Sequence, residues 1–414
     1  MKPPLSGYPY IMKPLFYHIQ NAVLTLLVSL ALWLIVIAVS NHIGFMSRIN
    51  WKIYDILTRI EYNIARRPAA DGVVLITIDN DTLAAVHERW PFSRSKFAAV
   101  VNNLRGAGVR AIGFDFIFYG RSTPEEDASL DTAIKEAGNV VLAAAIDEEG
   151  KLRASAPFGA SASATGLVTK LQESDGITRR EFTYLTRDDG NAGVVLSWSL
   201  GLLGTARKDL LCGLRAGNGV VECREAGGGI WKIPVDDYSK AYLIRFHGRT
   251  SDYKRVSFYN ILKGDFDRAA MKDKVAIIGL TSSIFGDFHN TPIGWMPGVV
   301  LNANAFSTLY KRDFLTMMPK ALSMSLALAA LFAASILISL FGFKKTSIFI
   351  IPAAVLFFMV SYFILTKGYV WNYIRFPVAL ALIPVLSKKI VDLILHIWFT
   401  IILRKGIWIW KLRN

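Results

Sequence analysis

Cysteine and histidine are scarce in this chain, and those present fall in no catalytic pattern. Only two cysteines, Cys212 and Cys223, occur among 414 residues. That is too few for a cysteine-based metal site without help from histidine. The six histidines stand at 18, 42, 87, 247, 289 and 396, with no HExxH or other ligand spacing. A GxSxG elbow and a Walker A loop are both missing. The stretch GLTSSIFG (279–286) has the glycines of a phosphate-cradling loop but not its lysine. These gaps argue against a zinc hydrolase, a serine hydrolase and a P-loop enzyme. The sequence points to no catalytic group, no cofactor and no metal.

Acid is missing as well, but only locally. Outside residues 41–318 there are 13 Lys+Arg and a single acid, Asp392, whereas 41–318 holds 34 Lys+Arg against 31 Asp+Glu. The formal net charge of +15 therefore sits in apolar blocks and tails. Basic charge so placed follows the positive-inside rule and suits a membrane surface. It is not a nucleic-acid patch.

Long apolar runs are what the chain has in excess, at 53% hydrophobic residues. Residues 22–40 carry no charge over a length that spans a bilayer. No small-x-small cleavage site follows, so an uncleaved anchor is preferred to a signal peptide. Residues 1–21, with Lys2 and Lys13, are then cytoplasmic, and 41–318 forms one extracytoplasmic domain. Three more spans are expected at 321–343, 347–366 and 370–387. Lys344-Lys345 and Lys388-Lys389 mark the cytoplasmic ends, and Lys367 and Arg375 are exceptions on the outer side. The tail 388–414 is basic and aromatic, and is expected to lie in the interface rather than form a fifth span.

Within 41–318 the fold class is α/β with a mostly parallel sheet. Arg48 to Arg67 has the pattern of an amphipathic helix, ended by Pro68. VVLITI (73–78) and AIGFDFIF (111–118) are β-branched or aromatic runs on either side of a helix-spaced segment, Ser95 to Arg105. Short apolar runs around an amphipathic helix predict a βαβ unit with neighbouring strands, covered on both faces. An acidic turn (121–131) leads to a helix from about Ser129 to Ala137 and a third strand, AGNVVLAAAI. Asp147 to Thr165 is expected to be loop. Antiparallel strands turning at Asp175-Gly176 and Asp189-Gly190 follow, then a buried helix over 192–204. KVAIIGL (274–280) is the last buried strand, and 299–310 a helix returning to the bilayer. A hairpin turning at Gly217-Asn218 places Cys212 across from Cys223. In an oxidising compartment the pair forms a disulfide; the alternative is two reduced, buried thiols.

Several blocks stand in order between about Tyr54 and Leu315: YDILTRI, VVLITIDNDTLAAV, RWPFSR, AGVRAIGFDFIF, PEEDASLDTAIKEAGNVVLA, SDGITRR, RVSFYNILKGD, DKVAIIGLTSSIFGD and MPGVVLNANAFSTL. The ordered set resembles the type-2 CHASE sensor domain, found outside the membrane in bacterial cyclases, kinases and phosphodiesterases. The three spans after the domain are also family-like. Where the family pattern has His-Ala-Asn, this chain has Asn302-Ala303-Asn304. The resemblance implies a sensor in the bacterial inner membrane. Only about 25 residues follow Lys389, too few for the output enzyme that relatives carry.

Asp79 and Asp115 end buried strands, and Thr281, Ser282 and Asp287 follow another. Ligands of open α/β sheets bind outside the carboxyl ends of the strands. These groups, with Arg94 as an anion partner and Asn304 from the last helix, form the candidate ligand site. The alternative is that the acids cap helices and bind loop N–H groups. The leading expectation is a sensor without enzyme activity, acting through a separate effector or envelope protein, with a homodimer possible. The competing expectations are an envelope scaffold and a fragment of a membrane cyclase or kinase.

Overall fold

The computed structural model describes residues 14–42, 45–65, 67–147, 151–155, 157–186, 193–214, 221–236 and 238–413. The head with Lys2 and Lys13 and the turns expected at Asp189-Gly190 and Gly217-Asn218 lie outside them. The chain divides into two units: Thr58–Thr316, and Met1–Leu57 together with Met317–Asn414.

Unit 58–316 is built on a seven-stranded sheet. In chain order its strands are β1 (Val73–Ile78), β2 (Ala111–Phe114), β3 (Val140–Ile146), β4 (Leu152–Ala154), β5 (Ala164–Leu167), β6 (Lys254–Ser257) and β7 (Val275–Leu280). Across the sheet the order is β6-β1-β7-β2-β3, with β4 and β5 both on β3; only β4 is antiparallel to its neighbour. Alternate residues feed two cores, as the pleat requires. Leu75, Ala111, Val141 and Ile277 pack beneath helices Trp198–Ala206 and Gly298–Lys311. Ile76, Phe114, Leu142 and Ile278 pack beneath Arg94–Gly106, Pro124–Ala137 and Phe258–Lys263. Runs without polar alternation are therefore buried on both faces, as a parallel sheet demands.

The strand glycines let one helix close on the sheet. A Cβ added at Gly113 would stand 2.4 Å from the Trp198 ring, and one at Gly166 2.5 Å from Trp198 Cα. Trp198 is fully buried between them.

Several expectations need correction. β1 and β2 are not neighbours: β7 lies between them, pairing Ile78 with Leu280 on one side and Phe114 with Ile278 on the other. A parallel crossover fixes direction but not adjacency, and the later strand completes the pairing of both. The acidic turn is the first turn of a helix, Pro124–Ala137, with Thr123 as N-cap and Pro124 at its start. Glu125, Glu126 and Asp127 thus lie at the positive end of the helix dipole. The segment 147–165 holds β4 and the start of β5. The helix expected over 192–204 begins only at Trp198, behind a strand at Val194–Leu196, because Ser197 accepts from Leu200 N and caps it. Cys212 and Cys223 are directly opposed in an antiparallel pair and are joined by a disulfide.

The second unit is helical. It comprises Pro14–His42, the part of helix Phe45–Ala65 up to Leu57, Lys320–Thr366 and Ile383–Arg413. Two of its helices are long and apolar enough to cross a membrane, Ile19–Val39 and Lys320–Gly342. The other two expected spans do not meet that standard among the described residues. Gly342 leaves helical geometry at φ 73°, and beyond this kink the helix continues to Thr366, where the described apolar stretch is Pro352–Thr366. The expected span 370–387 begins as an extended pair at Tyr369–Val370 and becomes regular helix only at Ile383. That helix carries Lys388, Lys389 and Asp392 and runs to Arg413, so the expected span and the expected interfacial tail share one helix. Within the unit, Trp33 packs on Ala327, Leu331, Val378 and Ile383. Ser335 donates to Ser29 at 2.9 Å, and Phe357 stacks on Phe376 at 4.7 Å.

Candidate functional site

The carboxyl edge of the sheet gathers most of the expected residues, and it uses nearly all of them for itself. Asp79 ends β1 as the N-cap of helix Asn80–Val86, accepting from Thr82 N at 2.9 Å and from the Thr82 hydroxyl at 2.8 Å. Ser282 caps the short turn 283–285 and donates to Asn80. Thr281 donates its backbone N–H to Ile78 O at 3.1 Å, and its buried hydroxyl has no partner among the described residues. The helix-capping alternative is therefore the geometry found at Asp79.

Asp115, at the end of β2, is different. It is 8% exposed and accepts from Asn302 Nδ2 at 2.6 Å. Burial pushes its carboxyl well above the usual carboxylate range, and the Asp287 charge adds to the shift against the pull of Lys170 and Asn302. Asp287 sits against the first residue of helix Gly298–Lys311; a Cβ on Gly298 would stand 2.4 Å from its Oδ2. A carboxylate is favoured there by the helix dipole. Lys170 donates to Asn302 and, at 2.6 Å, to the fully buried Glu181, which also accepts from Ser199 at 3.0 Å and from the Tyr242 hydroxyl. Asp115, Asn302, Lys170, Glu181, Ser199 and Tyr242 thus form one buried network joining the sheet, two helices and the strand pair Lys170–Gln172/Thr178–Phe182.

The raised Asp115 carboxyl has a pH consequence. The unfolded chain loses this proton near 3.8 while the folded chain keeps it, so the side chain favours folding fully below 3.8 and progressively less as pH rises toward the folded value. Replacing Asp115 by Asn keeps the shape and removes the charge. The variant is expected to gain stability over the native chain as pH rises from 4 to 7, read from denaturation midpoints. A constant difference across that range would contradict the buried-acid assignment.

Two expected residues lie elsewhere. Arg94, buried, pairs with Asp127 at 2.6 Å, donates to Gly120 O at 2.7 Å and lies over the Phe158 ring. It fastens the 119–120 loop to helix Pro124–Ala137 and does not face Asp115's network. It borders a cleft of about 540 Å³ whose lining includes Trp90, Phe97, Phe116 and Leu280 together with Glu88, Arg121 and Glu126. Asn304 is a backbone clamp: its Oδ1 accepts from His247 N at 2.7 Å and Gly248 N at 3.1 Å, and its Nδ2 donates to Gly248 O and Val300 O, both at 2.8 Å. The residue touching the acid is Asn302, the position where this chain departs from the family's His-Ala-Asn.

A second site lies at the opposite, amino edge of the sheet, and the sequence did not signal it. Glu61, Arg67, Arg245, His247 and Asp313 form one ion cluster. Arg245 meets Glu61 at 2.6 Å and Asp313 at 3.0 Å; Arg67 meets Glu61 at 3.2 Å and Asp313 at 3.0 Å. His247 Nε2 meets Asp313 Oδ2 at 3.2 Å, and its Nδ1 is buried with no partner among the described residues. Burial pushes the His247 pKa down despite Asp313. Burial would raise Asp313, but the His247 hydrogen bond and the Arg245 and Arg67 charges hold it at about 2. Arg67 and His247 also line a cavity of about 650 Å³, together with Tyr62, Arg249, Asp252 and Lys254. Tyr62 donates to Asp252 at 2.6 Å, with Arg249 over its ring. The only sequence signal available was charge within apolar context, as in AYLIRFHG; the partners of Arg245 lie 184 and 68 residues away.

No curated protein and no solved structure matches the chain. The profile of the CHASE2 domain matches residues 28–342, from within the first apolar helix to the break at Gly342, which covers well over half of the sequence. The chain belongs to the CHASE2 family of extracytoplasmic sensor domains.

Proposed function

We propose that the protein is an integral membrane sensor of the bacterial cytoplasmic membrane. Unit 58–316 lies outside, takes a small anionic ligand in the amino-edge cavity, and passes the change to a separate effector. One observation carries this reading. Arg67 and His247 line the cavity and also belong to the ion cluster that ties the first segment of the unit, through Glu61, to its last, through Asp313. A ligand that draws on Arg67 has a different affinity for the closed and the opened cluster, which is what a sensor needs. Arg67, Arg249 and Lys254 outnumber Asp71 and Asp252 along the cavity, which favours an anion. We assign the chain no catalytic role, because the carboxyl-edge groups are engaged with one another.

The topology we propose has the N-terminus inside and four crossings, the third and fourth made by the helices ending at Thr366 and beginning near Arg375. Large apolar side chains exposed along 19–39 and 320–366, such as Leu27, Ile35, Phe341 and Phe363, suit lipid contact. Alkaline phosphatase fused after Arg312 is expected to be active, and fused after Asn414 inactive; activity at the second position would overturn the four-crossing arrangement.

The ligand site is tested by thermal shift of the full chain against small carboxylates and phosphate esters. Stabilisation lost in Lys254→Glu supports the amino-edge cavity. Stabilisation that survives Lys254→Glu but is lost in Phe116→Ala would place the signal in the carboxyl-edge cleft instead.

A further inference from the structure

Arg375 is an unusual cation in the helical unit. In the proposed topology it lies on the outer side, against the positive-inside trend. Its backbone N–H donates to Asn372 Oδ1 at 3.2 Å, but its guanidinium meets no acceptor among the described residues. Lys388, by contrast, donates to Asp392 and, at 3.2 Å, to Asn21. Arg375 is half-buried and borders a cavity of about 250 Å³ within this unit.

The cavity has two kinds of wall. Its lining combines the apolar Trp33, Val36 and Val378 with the polar Asn50, Asn372 and Arg375. Asn50 is 7% exposed; its Oδ1 accepts from Tyr373 N at 2.6 Å, and it lines the same cavity as Arg375. A cation with no counter-charge beside an apolar wall is costly to hold. An anion lowers that cost, and a guanidinium binds phosphate oxygens with two parallel hydrogen bonds. Free phosphate would satisfy only the polar side. An amphiphile satisfies both, with its phosphate on Arg375 and its first methylenes along Trp33, Val36 and Val378. The volume is that of a headgroup rather than of a whole lipid, so the acyl chains lie outside it.

We propose that this cavity binds the phosphate headgroup of an anionic phospholipid of the outer leaflet. The assignment rests on the membrane reading above, and the test separates the two. Full-length protein is purified in dodecyl maltoside, washed free of loose lipid, and given micelles carrying phosphatidylglycerol, micelles carrying phosphatidylcholine, or inorganic phosphate alone. Bound lipid is counted by native mass spectrometry. A single phosphatidylglycerol should be retained, phosphatidylcholine about tenfold more weakly, and inorganic phosphate not at all. Arg375→Gln should lower retention about tenfold or more, and Arg375→Lys by less. Val378→Trp, which fills the apolar side and leaves the charge, should also lower it. The thermal transition of each variant reports its folding independently. Equal retention by the native chain and Arg375→Gln, or displacement of the lipid by inorganic phosphate, would overturn the lipid site while leaving the membrane reading intact. Release of the chain from membranes by alkaline carbonate would overturn both.

Discussion

Replacing Arg245 by Met is expected to cost unit 58–316 about 3–5 kcal/mol, the typical cost of removing one partner of a buried ion pair. Arg245 is 3% exposed and bridges Glu61 and Asp313, at 2.6 and 3.0 Å. Without it, Glu61 stays 4% exposed with Arg67, at 3.2 Å, as the one remaining cation paired with it among the described residues. The loss comes from the stranded acid more than from the missing attraction. The double variant Glu61→Leu/Arg245→Met should therefore lose much less than the two single variants together. Chemical denaturation of the full chain, followed by the fluorescence of buried Trp198, provides the comparison. Additive losses would contradict the coupling.

The same cluster makes the unit sensitive to acid, in two windows. His247 is held below its ordinary 6.5, so the unfolded chain takes up a proton that the folded chain refuses, and stability falls as pH drops below 6.5. Asp313, held at about 2, contributes stability above 3.8 that is lost between 3.8 and about 2. Asp115 slopes the opposite way at the far edge of the sheet. The slope of stability against pH therefore identifies which edge is being titrated.

Gly166→Ala is expected to cost about 3 kcal/mol or more, at or above the top of the range typical of overpacking. Its new Cβ would stand 2.5 Å from Trp198 Cα and 2.7 Å from Trp198 N, and backbone cannot rotate away as a side chain can. Relief requires helix Trp198–Ala206 to lift from the sheet, which opens the core holding Leu202 and Val141. The strain also reaches Ser199, and through it Glu181. Gly159→Ala is the matched control, since nothing lies within 4 Å of its added Cβ. A shift in the denaturation midpoint for the first and none for the second is the expected result. Equal losses would contradict the steric account, since through the unfolded chain Gly→Ala is a gain rather than a cost.

The readable parts of this molecule are those fixed by local sequence. β1, β2, β3 and β7 announce themselves as short apolar runs, and Arg94–Gly106 by its spacing, because burial on both faces leaves that pattern within a few residues. The place of β7 between β1 and β2 was not readable, since it depends on a pairing with residues far back in the chain. The candidate site divides in the same way. Asp115 was legible as an acid at the end of a buried strand. Lys170 was not, because it reaches Glu181 across a strand pair and Asn302 from 132 residues away. Arg94 was misplaced for a related reason. A basic residue next to an aromatic strand resembles an anion site until Asp127 and the 119–120 carbonyls are seen to occupy it. Of the helical unit, two runs became helices that meet the length and apolarity of a span among the described residues; the run 347–366 is helical beyond the break at Gly342, and the run 370–387 opens with an extended pair.

We propose that ligand occupancy outside the membrane reaches a partner through the Glu61–Arg245–Asp313 cluster. It is tested most directly by extracting the native membrane in mild detergent, pulling down the tagged chain, and assaying what comes with it. The expected result is a cytoplasmic signalling enzyme in stoichiometric amount with both the native chain and Asp313→Asn, and a different specific activity in the two. Recovery of the native chain alone or with envelope-assembly components only, or an enzyme equally active with both, would contradict it.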